Sequence, residues 1–152
     1  MPPVMRRRAF GASRFVVALG LVGCSSSTSS SPSSSVEPST FTDVYAMMFP
    51  LATKGQCNFC HSLPPNEKSN GNLSMGEDKA SAYAALVGKP SASHSCSGGT
   101  LVVAGQPDAS LFFQKLSASP ACGGRMPLGG DPLTPEQLDM IRSWISAGAK
   151  DD

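Results

Sequence analysis

The sequence predicts a small all-α domain that follows a disordered, Ser-rich tether. Apolar residues recur at helical spacing in four separate segments, and two of these segments carry helix start signals. Only Thr100 to Ala104 is rich enough in β-branched residues for an extended segment, which is too short to make a sheet. The chain of 152 residues is long enough for one domain, which we place at residues 41–150.

The first two predicted helices lie on either side of the middle of the chain. The first covers Phe41 to Phe49 and ends before Pro50. Its apolar stripe consists of Phe41, Val44, Tyr45 and Met48. The second helix has Asp78 as its N-cap and ends at Gly88. Its inward-facing residues are predicted to be Tyr83, Leu86 and Val87.

Two further helices close the chain. One is predicted from Pro107 to Leu116, with a packing face of Leu111, Phe112 and Leu116. The last begins at Thr134, since an N-cap, Pro135 at the first position and Gln137 three residues on form a strong start signal. It ends at Gly148, and its apolar face consists of Leu138, Ile141, Trp144 and Ile145.

Residues 1–23 have the layout of a secretory signal. A positive start at Arg6 to Arg8 is followed by an apolar stretch from Phe15 to Gly23, which is too short to span a membrane permanently. The stretch ends in Leu21-Val22-Gly23-Cys24, which resembles the lipobox of bacterial lipoproteins. This resemblance implies lipidation of Cys24, and Ser25 beside it implies an outer-membrane lipoprotein facing the periplasm or the cell surface. An ordinary signal cleaved elsewhere is the alternative.

Residues 24–40 are predicted to be a disordered linker, because Ser, Thr and Pro dominate and no apolar residues are spaced to pack. A flexible coil of this length spans roughly 20 to 25 Å. A glycosylated stalk is the competing interpretation. Removal of the signal takes away four of the 12 basic residues and leaves eight against 11 acidic ones, a net charge of −3. That balance gives no support for nucleic-acid binding.

The strongest motif is the pentapeptide Cys57-Asn58-Phe59-Cys60-His61. Its two thiols are spaced to add across the two vinyl groups of one haem, and the adjacent imidazole is placed to bind the iron. A thioredoxin-like dithiol would need a βαβ context, whereas Pro64-Pro65 follows here. A zinc site is a second alternative, in which the motif recruits further ligands from His94, Cys96 or Cys122.

A second loop, Gly124 to Gly130, contains Arg125-Met126-Pro127. This loop, the pentapeptide and the closing helix together resemble the cytochrome c family, in particular the single-haem domains of exported bacterial lipoproteins. The resemblance implies one covalent haem c, thioether links at Cys57 and Cys60, His61 as proximal ligand and Met126 as distal ligand. His94 is the main rival for the distal position, and Met75, in a polar loop, is a weaker one.

Three supporting roles follow from the same considerations. A loop carbonyl is expected to accept the second ring N–H of His61, and Pro64 or Pro65 are the candidates. Trp144 either packs on the haem edge or belongs to the core. Cys96 and Cys122 are predicted to pair, because exported chains meet an oxidising compartment, with separate free thiols as the alternative.

The predicted function is electron transfer by a membrane-anchored, periplasm-facing c-type cytochrome, which is not an enzyme. No Ser-His-Asp set, paired acid/base carboxylates or phosphate loop is apparent. The alternative is a haem peroxidase-like or gas-sensing domain with a displaceable distal ligand, for which Arg125 and His94 are the only candidates near the iron. The expected partners are redox proteins and, through the lipid anchor, the membrane.

Overall fold

The structure is a computed structural model and describes residues 37–53, 55–62 and 71–152. These residues form five α-helices, α1 (Phe41–Met48), α2 (Cys57–His61), α3 (Lys79–Leu86), α4 (Leu111–Leu116) and α5 (Pro135–Ser146). Two 3-10 turns, His94–Cys96 and Pro107–Ala109, lie between α3 and α4. Within the described ranges there is no strand, only two isolated β-bridges, which confirms the predicted all-α class.

Several predicted features lie outside the described residues. These are the signal segment, Cys24, the tether as far as residue 36, Pro64 and Pro65. Among the residues that the structure does describe, no helix combines the length and the apolar composition needed to cross a bilayer.

Helix α1 is capped more extensively than the sequence predicts. The side chains of Thr40 and Asp43 form a capping box, with Asp43 N donating to Thr40 Oγ1 at 3.1 Å and Thr40 N donating to Asp43 Oδ2 at 3.0 Å. Ser39 N donates to Ser143 Oγ at 3.1 Å, and Asp152 Oδ1 accepts Phe41 N at 2.7 Å. The hydrogen-bonded chain therefore extends about two residues beyond each end of the predicted range 41–150.

The core forms where α1 packs against α5. The rings of Phe41 and Trp144 lie 4.9 Å apart, and Trp144 is only 1% exposed. Its Nε1 donates to Lys150 O at 2.9 Å, which satisfies the buried indole N–H. Trp144 is thus a core aromatic residue. The other fully buried residues of the two helices are Val44, Met48, Ile141 and Ile145.

Helix α4 is shorter than the predicted helix from Pro107 to Leu116. The prediction is wrong at Ser110, whose extended backbone separates the 3-10 turn from α4. The Ser110 hydroxyl donates to Gln106 O at 2.8 Å and accepts Val103 N at 2.9 Å. A buried hydroxyl that bonds to local backbone groups competes with a continuous helix. The buried residues of α4 are Leu111, Phe112, Phe113 and Leu116.

The other two predicted helices, α3 and α5, begin where their start signals indicate. Asp78 caps α3, with Ser81 N donating to its Oδ1 at 2.9 Å. Thr134 and Gln137 form the predicted capping box of α5, with Thr134 N donating to Gln137 Oε1 at 2.8 Å. Both starts were predictable because a cap is made by residues within one turn of each other.

Candidate functional site

The pentapeptide forms helix α2 immediately after a tight reversal of the chain. Gln56 adopts a left-handed conformation with a φ of 47°, and Asn58 N donates to Phe49 O at 3.0 Å. Gly55 is buried against α1, where a Cβ atom would lie only 2.8 Å from Met48 Cα. A side chain at this position would separate the two helices. The reversal therefore holds the pentapeptide directly beside the core.

Helical geometry places the two thiols of the pentapeptide on neighbouring turns. Residues three apart on a helix face the same side, which brings Cys57 and Cys60 to one surface. Both cysteines are free and half-buried. Burial raises the pKa of the Cys57 thiol to about 12, so this thiol is neutral at physiological pH.

His61 is oriented by a backbone group twelve residues downstream. Its Nδ1 lies 3.1 Å from Leu73 O. A carbonyl oxygen only accepts, so the tautomer that makes this bond carries its proton on Nδ1 and leaves the lone pair on Nε2. Burial lowers the pKa of His61, although the bond to Leu73 acts in the opposite direction. The result is a neutral imidazole with a free nitrogen for ligation.

The Leu73 carbonyl is the partner of the His61 ring for which Pro64 and Pro65 were only candidates. Two residues on, Met75 N donates to His61 O at 2.6 Å, so one short segment binds both the ring and the main chain of the histidine. Every residue has a main-chain carbonyl, so residue type does not indicate which carbonyl accepts the histidine N–H. This contact was therefore inaccessible to sequence reasoning.

A cleft of about 910 Å³ opens beside α2. Cys57, Cys60, His61 and Met126 all line it, so the structure brings the four predicted haem-binding residues together. Its volume is within the range typical of small-molecule and cofactor sites. Much of the remaining wall is apolar and includes Met48, Leu73, Met75, Leu86, Leu101, Leu111, Phe112 and Leu116.

Met126 reaches the cleft from a loop that is attached to α4. Its backbone N–H donates to Lys115 O at 2.7 Å, and its side chain is half-buried. Lys115 Nζ donates to Cys122 O at 3.0 Å and also to Gly124 O. Lys115 thus bonds to three residues of the segment from position 122 to position 126.

The rival distal ligands occupy different positions. Met75 lies in the loop before α3, as predicted, but its side chain is only 2% exposed and lines the cleft. Its N–H donates to His61 O, which joins this loop to α2. His94 is exposed and lies outside the lining, although its neighbours Ser93 and Ser95 belong to it.

Cys96 and Cys122 are joined by a disulfide, with their Cα atoms 5.4 Å apart. Cys96 is buried and lines the cleft, so the bridge connects the cleft wall to the loop that carries Met126. Because both sulfurs are used, neither supplies a thiolate to the alternative zinc site. In the described part of the chain, no group of three or more His, Cys, Asp or Glu side chains is arranged to hold a metal ion.

Three comparisons with known proteins were made. No protein-family model matches this chain, and neither a curated protein nor a solved structure matches it.

Proposed function

We propose that this protein is an electron carrier that binds one haem covalently in the cleft, as in c-type cytochromes. The observation that carries the proposal is the convergence of Cys57, Cys60, His61 and Met126 on one largely apolar cleft of about 910 Å³. Bound there, the haem iron would supply one-electron chemistry by alternating between its ferrous and ferric states.

The donor set fits such a group. Two free thiols at helical spacing would hold the macrocycle through thioether links. The Nε2 atom of His61 is left available by the bond between Nδ1 and Leu73 O. The Met126 thioether is a soft, neutral ligand that favours the ferrous state and raises the potential. These residues bind and orient the group from two separate parts of the chain.

Met126 is a better distal ligand than Met75. The backbone of Met75 is hydrogen-bonded to His61 itself, which ties that segment to the proximal ligand. Met126 is instead held by α4, which belongs to a different part of the cleft wall. Met126, which is held by an element independent of His61, would therefore be the second residue to hold the iron.

The walls of the cleft suit electron transfer. Apolar side chains around the iron would limit the access of water and so the rearrangement that accompanies a change in the charge of the iron. Two lining residues, Phe59 and Leu128, are 71% and 72% exposed. They provide an apolar rim at which a redox partner protein is expected to approach.

The peroxidase-like or gas-sensing alternative has less support. It requires a base and an arginine beside an open iron position. His94 is exposed and lies outside the cleft lining. The guanidinium of Arg125 donates to Gly130 O at 3.4 Å, which engages it within its own loop. We therefore retain electron transfer as the function.

Export and lipidation remain part of the proposal. We propose that residues 1–23 are removed and that Cys24 carries the lipid, which would anchor the domain to an outer membrane. Labelled fatty acid incorporated into the full chain, and lost in Cys24→Ser, is the expected result. A Cys24→Ser protein that is still labelled and membrane-bound would contradict it.

Visible spectroscopy tests the haem site directly. The mature protein, expressed with the c-type maturation machinery, is expected to be low-spin and to show the methionine-to-iron band in its ferric form. Met126→Leu, which preserves apolar volume, should abolish this band, whereas the matched variant Met75→Leu should retain it. A protein without covalent haem would refute the function, and the reverse behaviour of the two variants would reassign the ligand to Met75.

A further inference from the structure

We infer that Lys115 is the positioning residue that keeps the Met126 thioether at the iron. The inference rests on the proposed haem site and adds to it a residue outside the pentapeptide and the ligand set. It is carried by the three bonds that Lys115 makes to the loop containing Met126.

These bonds engage alternate residues of the loop. The ammonium of Lys115 donates to the carbonyls of Cys122 and Gly124, and the main-chain carbonyl of Lys115 accepts the N–H of Met126. Hydrogen bonds from an ionised donor are stronger than those between neutral groups. A single helical residue therefore holds the segment from position 122 to position 126 along its length.

Among the described residues, no hydrogen bond other than those of Lys115 joins positions 122–126 to the rest of the domain outside this loop. Gly123 and Gly124 directly precede Arg125 and Met126, and Gly123 has a φ of 58°. Glycines carry the largest conformational freedom, so an untethered segment of this composition would sample many backbone states. The disulfide secures only Cys122, four residues before the ligand.

Helix α4 is a firm support for these bonds. Four of its residues are buried, so the helix is part of the core: Leu111, Phe112, Phe113 and Leu116.

The ammonium of Lys115 is bonded to neutral carbonyl groups, whereas the ion pairs among the described residues involve Lys79 and Arg142. Burial lowers the pKa of Lys115, which agrees with an ammonium drawn against the protein and away from bulk water.

Loss of the two bonds from the Lys115 ammonium, which leaves the main-chain bond to Met126 in place, should increase the fraction of molecules in which Met126 has left the iron. An external ligand binds only to that fraction, so its apparent affinity measures the fraction directly. The midpoint potential should also fall, because methionine ligation favours the ferrous state. Both readouts concern the iron, and a general loss of stability would not move them in this way.

The experiment compares imidazole binding and midpoint potential in the haem-loaded protein and three variants. Lys115→Leu removes the donors and introduces no iron ligand. It should bind imidazole at least about tenfold more tightly, because it loses two charge-assisted hydrogen bonds and the loss of one is expected to contribute about that factor. Lys115→Arg keeps a cationic donor and should restore much of the wild-type behaviour. The matched control is Lys89→Leu, an exposed lysine away from the loop, which should behave as wild type.

Each outcome decides between distinct statements. Wild-type imidazole affinity and potential in Lys115→Leu would overturn the role of Lys115 while leaving the haem site intact. A wild-type protein without the methionine-to-iron band would instead refute the proposed ligation. If Lys115→Leu does not fold, Lys115→Ala removes the same donors without placing a bulky apolar side chain beside the loop carbonyls, and wild-type behaviour of Lys115→Ala in both readouts would likewise overturn the inference.

Discussion

Loss of the Cys96–Cys122 disulfide should lower the free energy of unfolding by an amount that depends on the length of chain that the bridge closes. The two cysteines are 26 positions apart, and the chain-entropy relation gives about 3.5 kcal/mol for a loop of this length. For a domain of this size, 1 kcal/mol corresponds to roughly 4 °C, so the melting temperature should fall by roughly 14 °C. Thermal unfolding of the ferric, haem-loaded protein, followed by circular dichroism, measures this shift.

The choice of variant separates the cross-link from side-chain packing. Cys96 is buried, whereas Cys122 is only half-buried, so Cys122→Ser breaks the bridge and keeps the Cys96 side chain in place. In the double variant Cys96→Ala/Cys122→Ala, the melting temperature should fall by a similar amount and then further, because the packing of the Cys96 side chain is lost as well. A Cys122→Ser protein that melts within about 4 °C of wild type would refute the chain-entropy reasoning. A larger fall in the melting temperature of the double variant would then come from the lost packing of the Cys96 side chain.

Two further predictions concern hydrogen bonds that the fold depends on. Ser110→Ala removes a fully buried hydroxyl and leaves the part-buried N–H of Val103 without its acceptor, which should lower the free energy of unfolding in urea by about 1–3 kcal/mol, whereas an exposed serine changed to alanine should have little effect. The second prediction concerns Asp43, whose hydrogen bonds to Thr40 lower the pKa of its carboxyl group below the usual 3.8. The charged carboxylate therefore stabilises the folded state above pH 3.8, and this stabilisation is lost as the pH falls through the folded-state pKa. The stability gap between wild type and Asp43→Asn should therefore be widest near neutral pH and narrow below about pH 3.8, and a gap constant with pH would contradict this assignment.

Local signals predicted much of the helical structure. The start of α5 needs only Thr134, Pro135 and Gln137, and the start of α3 needs only Asp78 and Ser81. Their interactions span three residues and are the same wherever the helix packs. The break at Ser110 was missed, because its hydroxyl bonds to Val103, seven residues earlier, and nothing local requires that chain reversal.

The candidate site divides in a similar way. The pentapeptide could be recognised from sequence because the proposed thioether attachment and iron ligation would depend on the spacing of Cys57, Cys60 and His61. Met126 was selected by its resemblance to a family loop, and the fold places it on the same cleft. His94 had been its main rival on composition alone, but it lies outside the lining.

The sequence by itself determined the starts of α3 and α5, the spacing of the two thiols and the imidazole in the pentapeptide, and the all-α class, since each depends on residue type and short-range spacing. Only the tertiary structure decided how His61 is oriented and how the loop that carries Met126 is held. Leu73 acts on His61 through a main-chain carbonyl, and Lys115 acts on the Met126 loop through carbonyls of other residues. Every residue has such a carbonyl, so its role is defined only when folding brings a specific donor to it.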